Sequence, residues 1–255
     1  MDFTIKKYKE LLKSLNEQNY TFQTFREFIE KPNSKSIMLR HDVDLLPYNS
    51  LQIANIQAEL NIKGVYYFRA VPESWDESVI RQISELGHEI GYHYECLTKT
   101  HGDLEAGIKD FENNLIALRK ITPVFTICMH GSPMSKYDSK NLWKKYNYRD
   151  FGIIGEPYFD VDFKEVFYLT DTGRSWNGDK VSVRDRVNSG FNLNFHTTDE
   201  IISAANKGLM PNKIMFTFHP QRWSDNKWIW TKEFIFQNIK NQIKRVFFVK
   251  NKNAN

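Results

Sequence analysis

Ser36-Ile37-Met38-Leu39-Arg40-His41-Asp42-Val43-Asp44 is the stretch that decides the reading of this chain. Ser36 to Arg40 is a short apolar run of the kind that forms a strand buried on both faces. The chain leaves that run through two carboxylates one residue apart, and alternate residues at a strand end point the same way. Outward from this stretch the same grammar repeats. A helix over roughly Tyr48 to Leu60 is followed by the strand Gly64 to Phe68, and a helix from Glu77 to Leu86 by the strand Glu89 to Tyr92. A long helix opening at Asp103 is followed by the strand Val124 to Cys128. The stretch from Ser132 to Val187 is less regular, with its clearest strands at Phe151 to Ile154 and Val166 to Thr170. Then come the strand Phe191 to Phe195, a helix from Thr198 to Lys207, the strand Lys213 to Phe218 and a final amphipathic helix.

Apolar strands alternating with amphipathic helices specify an α/β fold, a parallel sheet covered by helices. About seven strands in this order predict a distorted or incomplete (β/α) barrel, with an open doubly wound sheet as the alternative. Before it, Ile5, Tyr8, Leu11, Leu12 and Leu15 and then Phe22, Phe25, Phe28 and Ile29 follow helical spacing, ended by Pro32 and Asn33. Residues 1–35 are therefore expected to be a helical lead-in and 36–255 the barrel domain.

Composition narrows the function. The net charge of +4 over 255 residues is spread along the chain, which argues against a nucleic-acid partner. Cys96 and Cys128 are too few for a disulfide framework in a chain of this size. The charged N-terminus lacks the apolar core of a signal peptide, and no stretch approaches the roughly 18 apolar residues of a membrane span. A cytoplasmic protein is expected. The last helix, with Ile235, Ile239, Ile243, Val246 and Phe247 beside Lys232, Lys240, Lys244 and Arg245, can lie on an anionic membrane, although covering the final strand is the commoner role for such a helix.

The polar residues fall at one rim. The strands run into Asp42 and Asp44, Arg69, His93 and Glu95, His130, Asp171, His196 and His219, all at carboxyl ends, where parallel α/β folds place their function. Two carboxylates held together call for a cation, with one Asp as ligand and the other as base. The competing reading has one Asp capping the next helix and the other pairing with Arg40 or Arg69. His93 adds the imidazole that a divalent ion takes beside carboxylate, with zinc foremost and cobalt, nickel or manganese as relatives. A His219 facing the pair across the pocket can protonate a leaving amine. Arg69 and Glu95 at the rim, with Asp171, Arg174 and Trp176 in the polar, aromatic middle stretch, are read as substrate contacts.

These residues resemble the NodB-homology polysaccharide deacetylases, the family-four carbohydrate esterases. Arg40-His41-Asp42-Val43-Asp44 is similar to the variant first motif in which one residue separates two aspartates. Gly87-His88-Glu89-Ile90-Gly91-Tyr92-His93 resembles the second motif and its lead-in, and Phe218-His219 the late motif with the catalytic histidine. More narrowly, the text resembles uncharacterised deacetylase-like proteins of surface-polysaccharide biosynthesis. The resemblance implies a deformed (β/α) barrel and metal-assisted removal of an acetyl group from a saccharide or carrier-linked sugar. It implies Asp42 as base, Asp44 and His93 as ligands and His219 as general acid. The chain departs from the family at Leu97, where a second histidine ligand is usual. Glu95, His101 and His130 are the substitutes, and His130, at a strand end on the same rim, is the preferred third ligand. His88 opens its strand at the opposite end and reads as structural. The family's third motif is not recognisable, and His130-Gly131-Ser132-Pro133 stands at roughly its place. The lost ligand also keeps open a degenerate barrel that binds sugar or regulates.

Overall fold

Strand β2, Ser36–Val43, is buried at every position, as a strand flanked by neighbours and covered on both faces must be. The structure, a computed structural model, describes residues 1–132, 135–176, 187 and 189–244, without the side chains of 243 and 244. Before β2 come α1 (Ile5–Asn16), β1 (Thr21–Gln23) and α2 (Phe25–Glu30). After it, α3 (Pro47–Glu59), β3 (Val65–Phe68), α4 (Glu77–Glu85), β4 (Glu89–Tyr94), α5 (Cys96–Lys99), α6 (Leu104–Arg119) and β5 (Ile127–Met129) follow in turn. The chain continues through α7 (Pro157–Asp160), β6 (Phe167–Thr170), α8 (Thr198–Asn206), β7 (Lys213–Phe218) and α9 (Lys227–Lys244). The strands form one sheet in the order β5-β4-β3-β2-β7-β6, with β1 paired to the start of β2. Every pairing is parallel. The sheet curls into a distorted, incomplete (β/α) barrel in which, among the described residues, no strand joins β5 to β6.

Alternation along the strands separates two cores. Ile37, Leu39, Tyr66, Phe68, Ile90, Tyr92, Phe216 and Phe218 face the helices in the larger one. Met38, Val65, Tyr67, Cys128 and Met215 point into the barrel, whose floor is closed by Phe25 and Phe28 of α2 with Val161, Phe163 and Val166. Gly91 belongs to this inner face. A Cβ there would stand 2.3 Å from the Tyr67 ring, so only glycine lets Tyr67 cross the interior toward Thr126.

Several sequence expectations change. The lead-in is helix, strand, helix, because Thr21–Gln23 finds an open edge beside Ser36–Met38. Three residues are too few for periodicity to reveal. Phe151 to Ile154 is not a strand; a 3-10 turn occupies Tyr148–Phe151, and a single bridge joins Thr126 to Gly155. Phe191 to Phe195 carries strand-like alternation but finds no strand partner among the described residues, and its two phenylalanines pack on Phe167 instead. Helix α9 does not cover the last strand. That face of β7 is already taken by Trp176 and Trp223, which pack on Phe218, and Ile235 and Ile239 are left exposed. The stripe's continuation at Ile243, Val246 and Phe247, with Lys244 and Arg245, lies outside the described side chains, as does Pro133. No helix among the described residues is long and apolar enough to cross a membrane.

Candidate metal centre

Strand pairing assembles the rim. β2 runs beside β7 with His41 level with Phe218, so His219, one residue on, emerges next to Asp42. On the other flank β3 and then β4 follow, and His93 is level with Cys128 of β5, which delivers His130 two residues later. Asp44 stands just past the end of β2, its amide bonded to the Asp42 carbonyl at 3.0 Å. Helix α3 then begins at Pro47 without a side-chain cap, so neither aspartate is spent as a helix cap. Leu46 before it holds a left-handed conformation at φ 54°, which costs a residue with a Cβ about 1 kcal/mol or more. The turn is fixed by Leu46 N–H donating to Glu73 and by Ser74 Oγ donating to the Val43 carbonyl.

The two aspartates differ. Asp42 is 2% exposed and accepts from Arg40 through both oxygens, at 2.8 and 2.6 Å. Burial opposes its charge, but Arg40, His93 and His219 outweigh that and hold it below the ordinary carboxylate range. The Arg40 half of the competing reading is therefore present. Asp44 has a different fate. Its Oδ2 accepts from Gln221 Nε2 at 3.2 Å, while its buried Oδ1 has no donor at all. Aimed at that oxygen are His93 Nε2 at 3.7 Å and His130 Nε2 at 3.5 Å. His219 Nε2 lies 3.8 Å from Oδ2.

The far side of each ring explains this approach. His93 Nδ1 donates to the Cys128 carbonyl at 2.9 Å and His130 Nδ1 to Glu95 Oε2 at 3.0 Å. With those protons placed, a neutral ring turns its Nε2 lone pair toward Asp44. Burial pushes His93 down to about 4, so it is neutral near pH 7. Glu95 is in turn gripped by Arg69, which donates Nε and Nη2 to its two oxygens at 3.0 Å each. Burial alone would raise Glu95, yet His130 and Arg69 bring it down to about 2. A neutral His93 turns a lone pair toward a carboxylate oxygen that has no donor, a contact that repels unless a cation lies between them. Donors held about 2.1 Å from a tetrahedral ion stand about 3.4 Å apart, close to the spacings seen. Asp44 Oδ1 thus lies at ligand spacing from both His93 Nε2 and His130 Nε2, as a shared divalent ion would need. Asp42, His93 and Cys128 form an overlapping group with ligand atoms within 4.8 Å of one another. Asp42 is the weaker ligand of the two, because Arg40 already occupies both its oxygens.

His219 is ordered from behind. Its Nδ1 donates to Asp171 Oδ1 at 2.6 Å, and its backbone N–H donates to Oδ2 at 2.9 Å. Trp223 Nε1 and Arg222 Nη1 also donate to Asp171, at 2.7 and 3.0 Å. Burial and Arg222 work against a charged His219, but Asp171 and Asp44 prevail and raise it above the ordinary histidine value.

Other expected residues fall elsewhere. Asp171, fully buried and fully bonded to its neighbours, orients His219 rather than meeting solvent. Arg69 and Glu95 likewise act on each other and on His130. Trp176 is 4% exposed, donates to Thr198 Oγ1 and packs against Phe216 and Phe218 in the outer core. Arg174 stacks on Trp230 beneath α9. Both pack among aromatic rings, a role that sequence polarity does not disclose. His101 and His196 are exposed and away from the cluster. His88 accepts from Gly64 N–H and lies against the Ala54 carbonyl, in the outer layer. Leu97 is turned away by α5 and packs at Gly107 of α6. Gln221, Arg222 and Trp223 escaped the sequence reading, although they directly follow His219 at the same rim.

Asp44 also opens onto a cavity of about 860 Å³ between the loop at Leu45 and Leu46, the turn at Gln221 and Arg222, and helix α9.

No family model and no curated protein matches the chain. Among solved structures it is similar to a CE4 family pseudoenzyme from Bacillus anthracis, at 11% identity and a TM-score of 0.45 over 84% of this chain and 62% of that one. It is similar to a Streptococcus mutans CE4 esterase at 15% identity and a TM-score of 0.45, over 88% and 86% of the two chains. It is also similar to Bacillus subtilis PdaA, a family 4 carbohydrate esterase, at 13% identity and a TM-score of 0.43, over 91% and 84%. The chain thus spans less than two thirds of the length of the first of these, at 62%.

Proposed function

We propose that the chain is a metal-dependent hydrolase that removes an acetyl or similar acyl group from an amino sugar or other saccharide in surface-polysaccharide metabolism. One observation carries this reading: the unpaired Oδ1 of Asp44 faces the Nε2 atoms of His93 and His130, with Asp42 and His219 on either side. Asp44, His93 and His130 would hold a divalent ion, zinc foremost. When bound, such an ion acidifies water and polarises an acyl oxygen.

The chain's own residues supply the rest. Asp42 accepts the proton of the attacking water, and Arg40 fixes the direction of its lone pairs. His219, whose charged form Asp171 favours, donates the Nε2 proton to the leaving amine as the tetrahedral intermediate collapses. Arg69 and Glu95 hold His130 in the tautomer that ligation needs.

The test is acetate release from a panel of N-acetylated sugars by protein loaded with zinc, cobalt or nickel. Activity that survives exhaustive chelation, or Asp44→Ala, would sink the metal mechanism. A second reading, a sugar-binding or regulatory module on a degenerate barrel, draws on Arg40, whose hold on both oxygens of Asp42 weakens it as a base. Sugar binding by protein that takes up no stoichiometric metal would favour that module.

A further inference from the structure

Helix α9 is built the wrong way round for a surface helix. Such helices turn an apolar stripe to the core and polar residues to water. Here the attachments to the body are largely polar. Asn241 donates to the Gly173 carbonyl at 2.9 Å, Trp230 Nε1 donates to the Asp2 carbonyl at 2.7 Å, and Gln237 is 4% exposed. The aliphatic and aromatic residues are the ones left out: Ile235 and Ile239 are each 54% exposed, Phe236 52% and Trp228 78%. Facing them across the cavity are Leu45 and Leu46, also exposed, on the loop directly after Asp44. Contiguous exposed apolar surface of this kind marks a binding site.

The geometry points to an amphiphilic substrate, whose sugar head reaches Asp44 and whose apolar chain lies between α9 and the loop at Leu45 and Leu46. This rests on the hydrolase reading and names its substrate class. Continuity makes the choice. The apolar walls run inward to Asp44 itself, so a chain seated there is tied to a group at the ion. A bilayer would need only the outward face of α9. Lys232 and Lys240 on the same wall, with Glu233 between them, leave a net positive border that complements an anionic link between chain and sugar. The volume of about 860 Å³ is also that of a pocket for a small molecule rather than a protein segment.

Two measurements on the full metal-loaded chain test it. Calorimetry compares dodecyl phosphate with methyl phosphate, both monomeric, and acetate release compares dodecyl with methyl N-acetylglucosaminide. The expected result is one dodecyl phosphate per chain, bound about tenfold or more tighter than methyl phosphate, and a similar preference in kcat/KM. In Phe236→Asp/Ile239→Asp both ratios collapse toward one. These positions are exposed, and circular dichroism verifies the fold. No chain-length preference in binding, or one that survives the double variant, overturns the proposal. So does uptake only by phosphatidylglycerol vesicles, or a dimer that hides α9. Equal hydrolysis of the two glycosides removes the groove and leaves the hydrolase. Tight dodecyl phosphate binding with no hydrolysis of either removes the hydrolase and leaves the groove.

Discussion

The two faces of strand β2 carry adjacent polar clusters with opposite fates. Toward the helices, His41 Nδ1 donates to the Val65 carbonyl at 3.0 Å, and its Nε2 meets Tyr8 Oη at 3.1 Å and Gln57 Nε2 at 3.0 Å. Tyr66 completes the group by donating to Gln57 Oε1 at 2.8 Å and stacking on the imidazole. Burial pushes His41 down to about 3, so it stays neutral and fully bonded. Toward the barrel, Asp44 keeps a buried oxygen without a donor, with the Nε2 atoms of His93 and His130 beside it. Both clusters are buried and rich in polar atoms. Satisfaction, not polarity, separates the structural from the functional, since a buried acceptor left unpaired is costly unless a further partner completes it.

The largest expected effect breaks the mouth cluster. Asp44→Ala should abolish stoichiometric zinc, read by elemental analysis, and lower turnover by about 10²-fold or more. The metal-free variant should be about as stable as the parent, because it loses a carboxylate whose buried Oδ1 has no donor and whose Oδ2 has only Gln221. A drop in its urea midpoint would place Asp44 with the structural cluster instead. His41→Ala should do the reverse. Leaving Tyr8 and Gln57 with unpaired groups should cost about 3 kcal/mol in urea unfolding, with zinc stoichiometry unchanged in the folded fraction.

A third polar group, on the barrel floor, sharpens the contrast through pH. Burial raises Glu89 to about 7, despite its bonds to the Arg26 amide and Thr126. In the unfolded chain it titrates near 4.5. The folded state therefore binds the extra proton between these values. The stability this provides is complete below about 4.5 and is lost as pH rises through about 7. Glu89→Gln should stabilise the protein at pH 8 by on the order of 2–3 kcal/mol and by little at pH 4. Urea curves at the two values decide, and an equal effect of the substitution at both would show that Glu89 titrates in the fold as it does in the unfolded chain. The smallest effect belongs to Glu95→Gln. A weaker hold on His130 should reduce zinc affinity about tenfold in a competition titration, and full affinity would mean that His130 is not a ligand.

The residues that repeat locally were legible without coordinates. Strand β2, the helices opening at Asp103 and Thr198, and the delivery of Asp42, Asp44, His93 and His219 to one rim follow from periodicity and from the direction of parallel strands. Those signals lie within a few residues of one another. What the fold alone decided depends on partners far away in sequence. Pairing of β2 with β7 sets His219 beside Asp42. The turn into α5 buries Leu97 and leaves His130 to meet Asp44. Filling of the outer core takes in Trp176 and leaves the apolar side of α9 uncovered. A side chain's polarity is written in the sequence, but whether it is satisfied is a property of neighbours that only the closed structure brings within hydrogen-bond reach.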